Sequence, residues 1–170
     1  LAVPYVTEIT NETSKLVSKT WGEVFTLMEK DLLDAKALLE EYDPVVTATM
    51  RQLEDTYYIG TEGMPEDEWQ YFRHGRFNYY AVLGTLARMY HWKGDKEQAA
   101  AYARQVIESE KFPLATEETL SQSGSNLVMY DEHLFDIDNP DLQDIVEPLF
   151  ATQTASLNQD EGALDVAYES

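Results

Sequence analysis

Apolar side chains recur at the spacing of an α-helix along residues 20–42, where they predict one long amphipathic helix. Thr20 and Glu23 have the spacing of a capping box, in which each side chain accepts a hydrogen bond from a free backbone N–H group of the first turn. Asp43 ends the helix because it precedes Pro44, which disfavours the α conformation at the residue before it. The apolar stripe consists of Trp21, Val24, Phe25, Met28, Leu32, Ala35 and Leu39.

A second helical pattern divides into two helices, 76–93 and 96–109. Gly94 and Asp95 form a tight turn between them, and Pro113 lies just beyond the second helix, which it cannot continue. The result is a helical hairpin. Small residues predict that the two helices approach each other closely; they are Gly84, Ala87, Ala99 and Ala103.

The spacing within this hairpin matches the tetratricopeptide repeat, a helix–turn–helix unit of about 34 residues. One such unit cannot bury both of its faces, so its apolar back is expected to pack against the first helix. An ordinary antiparallel helix pair is the alternative. The predicted fold is mainly α, with a tetratricopeptide-like helical hairpin scaffold and an irregular, loop-rich C-terminal part. The matching positions are Leu83, Leu86, Ala87, Tyr90, Gly94, Ala99, Ala103 and Pro113.

Helical periodicity is weaker in the rest of the chain. Residues 45–58 have apolar positions compatible with one further helix, and residues 60–65, with two Gly and one Pro, predict a loop. Two short apolar runs, 126–130 and 147–152, suit strands or extended segments.

Charge is distributed unevenly along the chain, which has 12 Lys and Arg, 32 Asp and Glu, and a net charge of −20. All Lys and Arg lie between Lys15 and Lys111, whereas residues 112–170 hold 13 acids and no basic residue. This shift divides the chain into a helical scaffold, 1–113, and an irregular acidic segment, 114–170, of the same domain. Such a surface repels phosphate backbones and anionic lipid head groups, which argues against nucleic acid and against electrostatic membrane binding.

Several classes of protein are excluded by residues that the sequence lacks. With no Cys, it has no disulfide scaffold, thiolate metal site or cysteine nucleophile. No apolar run reaches the length of about 18 residues that a transmembrane helix needs. The first residues have neither the basic nor the apolar segment of a signal peptide, so we expect a mature form or, in preference, an internal portion of a longer protein.

Metal-binding and catalytic motifs are also missing from the sequence. The histidines, His74, His91 and His133, do not have the spacing of a metal site. The acidic run 136–141 departs from the EF-hand because Pro140 occupies a ligand position, so a solvated loop is favoured over a calcium site of another kind. No nucleophile elbow, phosphate loop or dinucleotide motif is present, which favours a binding or scaffold protein without a cofactor over an enzyme.

The most specific sequence signal lies at the start of the hairpin. Residues 76–81 read R-x-N-Y-Y-A, residues 87–90 read A-R-x-Y, and a G-D pair at 94–95 precedes an Ala-rich second helix. These motifs resemble the SusD/RagB family of outer-membrane lipoproteins of Bacteroidetes. The segments P-Y-V-T at 4–7, D-L-x-x-A at 31–35 and E-P-L-F at 147–150 resemble further parts of the family pattern.

The resemblance implies a tetratricopeptide scaffold with a loop-rich ligand-binding face, displayed at the outer surface of the outer membrane. Family members bind glycans, or less often peptides, and deliver them to a SusC-like TonB-dependent transporter without catalysing a reaction. They are anchored by a lipidated N-terminal Cys. Because this chain has no Cys and is much shorter than a usual member, such an anchor would lie upstream of it.

Trp69 and Tyr71 are the candidate sugar-binding residues, because they lie in a loop outside any apolar stripe. Aromatic rings suit the apolar faces of sugars. The alternative is that both rings pack down onto the helix that follows. Trp21 and Tyr80, in contrast, lie on apolar stripes and are expected in the core.

Two other functions remain open from the sequence. A tetratricopeptide-type interaction module would bind a peptide between stacked helix pairs, but it needs at least two or three repeats and only one is legible. An acid-rich glycosidase would need two carboxylates that converge in a cleft, and nothing singles out such a pair.

Overall fold

The regular structure consists of five α-helices and one two-stranded ladder, as seen in a computed structural model that describes residues 3–9, 11, 16–121, 129–136, 139, 141 and 144. The helices are α1 (Trp21–Tyr42), α2 (Met50–Leu53), α3 (Tyr79–Lys93), α4 (Lys96–Glu108) and α5 (Glu117–Ser121). The strands, β1 (Val3–Pro4) and β2 (Ser18–Lys19), pair antiparallel with Val3 opposite Lys19. Five 3₁₀ turns complete these elements: Pro44–Val46, Thr56–Tyr58, Glu68–Gln70, Arg73–Gly75 and Tyr130–Glu132.

The chain divides into two units, Leu1–Asp136 and Ile137–Ser170, and all of these elements belong to the first. The boundary predicted from composition at residue 113 falls inside this first unit. Of the two apolar runs predicted as strands or extended segments, only Met129 and Tyr130 lie within the described residues, and Tyr130 begins a 3₁₀ turn. The protein is mainly helical, as predicted, and none of the described helices combines the length and apolar character needed to cross a bilayer.

The first predicted helix is present as α1 and is bounded by its capping residues. The Thr20 hydroxyl accepts the Glu23 N–H at 3.4 Å, and the Glu23 carboxylate accepts the Thr20 N–H at 2.8 Å. At the other end, Asp43 is extended and its N–H donates to the carbonyl of Leu39 at 2.9 Å. The helix prediction for 20–42 is therefore confirmed at both ends.

Residues 45–58 do not form the single helix that their apolar spacing suggested. They fold into three short pieces because Asp43, Thr49 and Asp55 each cap a new turn, accepting a backbone N–H two or three residues ahead. Short polar side chains of this kind compete with helical hydrogen bonds, so each one ends the preceding turn and begins a new one. The prediction was wrong where it gave periodicity more weight than these caps.

The predicted hairpin is present as α3 and α4. The Asn78 side chain accepts the Ala81 N–H at 2.9 Å and so starts α3 three residues later than expected. Gly94 ends α3 in the left-handed region at φ 84°, a conformation that only glycine adopts at little cost. Asp95 then caps α4 by accepting the Gln98 N–H at 3.0 Å. The helix–turn–helix is confirmed, whereas its assignment to the tetratricopeptide class remains a prediction.

The core is built around α3, which packs against both α1 and α4. The rings of Tyr90 on α3 and Tyr102 on α4 stack at 5.6 Å between centroids and 9° between planes. Each fully buried Leu, such as Leu86, contributes about 1.5–3 kcal/mol through removal from water. One buried cluster of α3 faces α1 and consists of Val82, Leu86, Met89 and Tyr90. A second joins α3 to the preceding segment and consists of Val45, Ala48, Met50, Leu53, Tyr79, Tyr80 and Leu83.

Two packing predictions need correction. Tyr80 is buried as expected, but Trp21 is 51% exposed, because the apolar stripe of α1 opens at its first residue into a surface groove. Gly84 was expected to let α4 pack closely against α3, but α4 is not the neighbour that needs this space. A Cβ atom at Gly84 would lie 2.8 Å from a methyl carbon of Leu134, so the glycine makes room for a side chain from a later part of the chain.

Candidate functional site

The two predicted sugar-binding residues differ in exposure. Trp69 lies on the turn Glu68–Gln70 and is 61% exposed. Tyr71 is fully buried, and its hydroxyl donates to the Pro65 carbonyl, which also accepts the Gly60 N–H at 2.9 Å. A buried ring offers no face to a sugar, so Tyr71 fastens the 60–65 loop and drops out of the candidate site. Trp69 stays a prediction.

A groove of about 300 Å³ lies between the first turns of α1 and the last turns of α3. Its walls include Trp21, with its ring 6.0 Å from that of Phe25, and Trp92 near the end of α3. Trp92 is 72% exposed, so both indoles present much of their surface to solvent. The floor and walls are completed by Met28, Thr85, Arg88 and Met89.

The groove continues along α3 toward its N-terminal end. There, a second hollow of about 270 Å³ shares Thr85 and Arg88 with the first. Phe77 and Phe135 form an edge-to-face pair on its wall, with ring centroids 5.5 Å apart. We call the two hollows together the α3 groove. The remaining residues of the second hollow are Ala81, Gly84 and Leu134.

One wall of the second hollow is formed by Leu134 and Phe135 of the segment 129–136, which hydrogen bonds hold against the start of α3. The Asn78 amide donates to the Leu134 carbonyl at 2.8 Å, and the Asp136 N–H donates to the His74 carbonyl at 2.8 Å. Leu134 then fills the space above Gly84. The groove is thus assembled from segments that lie far apart in sequence and are joined by hydrogen bonds.

A cluster of titratable groups lies behind this wall. His74 is almost fully buried, and its Nδ1 pairs with the Glu54 carboxylate. The Tyr130 ring lies 4.4 Å from the His74 ring, and burial, with Glu54 as the second cause, raises the pKa of Tyr130 to about 12. None of these three residues lines the groove. The cluster therefore anchors the 129–136 segment.

A smaller polar network lies at the C-terminal end of α3. The Glu29 carboxylate accepts hydrogen bonds from the Tyr90 hydroxyl and the Lys93 ammonium, each at 2.5 Å. These two hydrogen bonds lower the pKa of Glu29 below its ordinary value of 4.5, and Lys93 is the larger cause. These contacts join α1 to α3 beside the groove.

No group of three or more His, Asp or Glu side chains that would hold a metal ion occurs within the described ranges. The acidic run considered for calcium lies partly outside them. Of its described residues, the Asp141 N–H donates to the Asn139 side chain at 3.1 Å, a local turn contact. Nothing in the described residues supports a metal role for the run.

Comparisons with protein-family models, with curated proteins and with solved structures gave no match to this chain. The SusD-like character suggested by the sequence motifs accordingly stands on those motifs alone.

Sequence reasoning missed the α3 groove. Trp21 was assigned to the core, and Trp92 was not singled out. A signal was present nevertheless: Phe77, Ala81, Gly84-Thr85, Arg88 and Trp92 follow one another at helical spacing and mark one face of α3. That face mixes aromatic, small and cationic residues, which is unlike the wholly apolar face that packs on α1.

Proposed function

We propose that this chain is part of a SusD-like protein that binds oligosaccharide and passes it to a SusC-like TonB-dependent transporter. The observation that carries the proposal is the α3 groove with its two exposed indoles, Trp21 and Trp92. An elongated groove bounded by aromatic rings suits a chain of sugar units better than a single small molecule. The R-x-N-Y-Y-A and A-R-x-Y motifs support the family, because both lie on or beside the helix that forms the groove floor.

Binding would rely on ring stacking supplemented by few polar contacts. Indole faces suit the apolar C–H faces of sugars, and aromatic contacts of this kind contribute about 0.5–1.5 kcal/mol each. Thr85 donates its hydroxyl hydrogen to the Ala81 carbonyl at 2.8 Å, which leaves its oxygen lone pairs available to a ligand hydroxyl. Trp69 is exposed, follows Asp67 and Glu68 in the sequence and lies outside the α3 groove, so it is a separate candidate contact on the same proposal.

The role is binding without catalysis, at the outer face of the outer membrane, on a tetratricopeptide-like scaffold. In such a protein the α3–α4 hairpin holds the groove floor in place and the transporter takes up the released ligand. No cofactor is required for either step.

Glycan affinity electrophoresis followed by calorimetry tests the proposal. Trp92→Ala and Trp21→Ala are each expected to lower affinity for a retained oligosaccharide about three- to tenfold. Tyr57→Ala is the matched control, because Tyr57 is an exposed aromatic residue outside the groove. Retention of no glycan by the parent, or equal effects of all three substitutions, would reject the groove as a sugar site.

A peptide ligand is the second candidate, favoured by the apolar character of most groove residues. On that alternative the α3 groove would take the apolar face of a helix or an extended segment. Binding of peptides with the same Trp dependence, and of no glycan, would replace the first candidate with the second.

A further inference from the structure

Charge is distributed unusually on α3. The chain has 32 Asp and Glu, yet Tyr79–Lys93 contains none and carries Arg88, His91 and Lys93. Arg88 is the one charged residue that lines either half of the α3 groove. Within the described part of the chain its guanidinium pairs with no carboxylate. An exposed cation between aromatic walls is thus available to a ligand.

We infer that the α3 groove selects an oligosaccharide carrying a single uronic-acid unit among neutral sugars, with Arg88 binding the carboxylate. This inference rests on the proposed function and names its substrate class. A guanidinium presents paired N–H donors that match a carboxylate bidentately, and such charge-assisted bonds are stronger than neutral ones. Apolar walls on both sides reduce competition from water.

The net charge of the protein limits how many acidic groups the ligand carries. At −20 the chain repels polyanions as a whole, while Arg88 offers one local site of opposite sign. A polyuronate would gain one contact and meet repulsion along the rest of its length. A sparsely charged chain keeps the contact and avoids most of the repulsion.

The position of Arg88 sets the register of the acidic unit. Along the helix Arg88 lies about 6 Å from Trp92 and about 10 Å from Ala81, at 1.5 Å rise per residue. The uronate is therefore expected close to the Trp21–Trp92 end, with neutral units extending toward Phe77 and Phe135. An acidic peptide would satisfy Arg88 as well, but it lacks the flat C–H faces that suit the two indoles.

Calorimetry with four probes at about 0.15 M salt tests the inference: a xylo-oligosaccharide with one glucuronate branch, the unbranched oligosaccharide of equal length, oligogalacturonate, and oligoglutamate. The branched probe is expected to bind about tenfold more tightly than the unbranched one, and the two polyanions more weakly than either. Arg88→Gln is expected to remove the tenfold preference, and Arg88→Lys to retain part of it. Arg104→Gln is the matched control, since Arg104 is exposed on α4 outside the groove.

The outcomes separate this inference from the proposed function. Equal binding of the branched and unbranched probes overturns the inference and leaves sugar binding intact, as does a preference that survives Arg88→Gln. Tight binding of oligoglutamate overturns it as well, because the groove would then recognise charge without sugar. Binding of none of the sugars rejects both.

Discussion

Each end of α3 is held in place by an ion pair, which is buried at the N-terminal end and partly exposed to solvent at the C-terminal end. At the N-terminal end, Asp43 accepts hydrogen bonds from the Arg73 guanidinium at 2.7 Å and from the Tyr79 N–H at 2.9 Å, with side chains only 0% and 7% exposed for Asp43 and Arg73. At the C-terminal end, Glu29 and Lys93 pair at 2.5 Å with 28% and 32% exposure. The geometries are similar, and the surroundings are not.

The difference shows that burial, more than distance, decides what an ion pair contributes. Water screens the Glu29–Lys93 pair, whose worth is of the order of 1 kcal/mol or less. The Asp43–Arg73 pair has no such screening, so loss of one partner strands a charge in the interior. The start of α3 is thereby fixed in one arrangement, while its other end, beside the groove, tolerates change.

The largest effect is expected from Asp43→Asn at the buried end. The substitution removes the partner of Arg73 and weakens the acceptor for two backbone N–H groups, so unfolding free energy should fall by about 3–5 kcal/mol. Chemical denaturation monitored by circular dichroism measures the loss. Asp34→Asn is the control, because Asp34 makes an exposed pair with Lys30. The unfolding free energy of this variant should equal that of the parent within error. Equal stabilities for the two variants would show that the buried ion pair contributes no more than an exposed one.

An intermediate effect is expected at Gly84, in the middle of α3. Leucine there would collide with Leu134 and should cost about 1–3 kcal/mol through overpacking. Gly84→Ala should be much milder, because the atom it meets is the movable end of the Leu134 side chain. Thermal melts of Gly84→Leu with and without Leu134→Ala check the cause, since the second substitution should restore part of the loss. A Gly84→Leu protein that melts within error of the parent contradicts the packing.

The smallest effect is expected from Glu29→Gln at the exposed end. Lys93 and Tyr90 lower the pKa of Glu29 in the folded protein, so its contribution is present above about pH 4.5 and is lost as pH falls through the lowered value. The variant should lose less than about 1 kcal/mol at neutral pH and should match the parent in strong acid. A series of denaturation curves between pH 2 and pH 7 tests this. A stability difference between parent and variant that grows toward low pH would have the wrong sign and would show that ionised Glu29 does not stabilise the fold.

The helices themselves were predictable because their signals are local. Periodicity and caps define α1, and the left-handed glycine at Gly94 defines the end of α3. The same kind of signal was present in residues 45–58, where the caps Asp43, Thr49 and Asp55 outweigh the apolar spacing. Weighing caps above periodicity would have corrected that prediction.

The candidate site was less predictable because it is assembled from distant segments. The hydrogen bond from the Asn78 amide to the Leu134 carbonyl spans 56 positions, and the sequence around either residue does not indicate the pairing. Trp21 belongs to an apolar stripe in sequence, yet it is half exposed and lines the groove together with Trp92, 71 positions away. Tyr71 and Trp69 lie two positions apart in one polar loop, yet Tyr71 is fully buried and Trp69 is 61% exposed, a difference that the loop sequence does not indicate.

The buried carboxylate of Asp43 also determines how the molecule opens. It joins the end of α1 to residues 30 and 36 positions away, so the Tyr79 amide proton is released to solvent only when these segments separate together. Its hydrogen exchange should report whole-domain unfolding, whereas amides of the exposed first turn of α1 exchange through local fraying. One side chain thus merges α1, the irregular segment after it and α3 into a single cooperative unit.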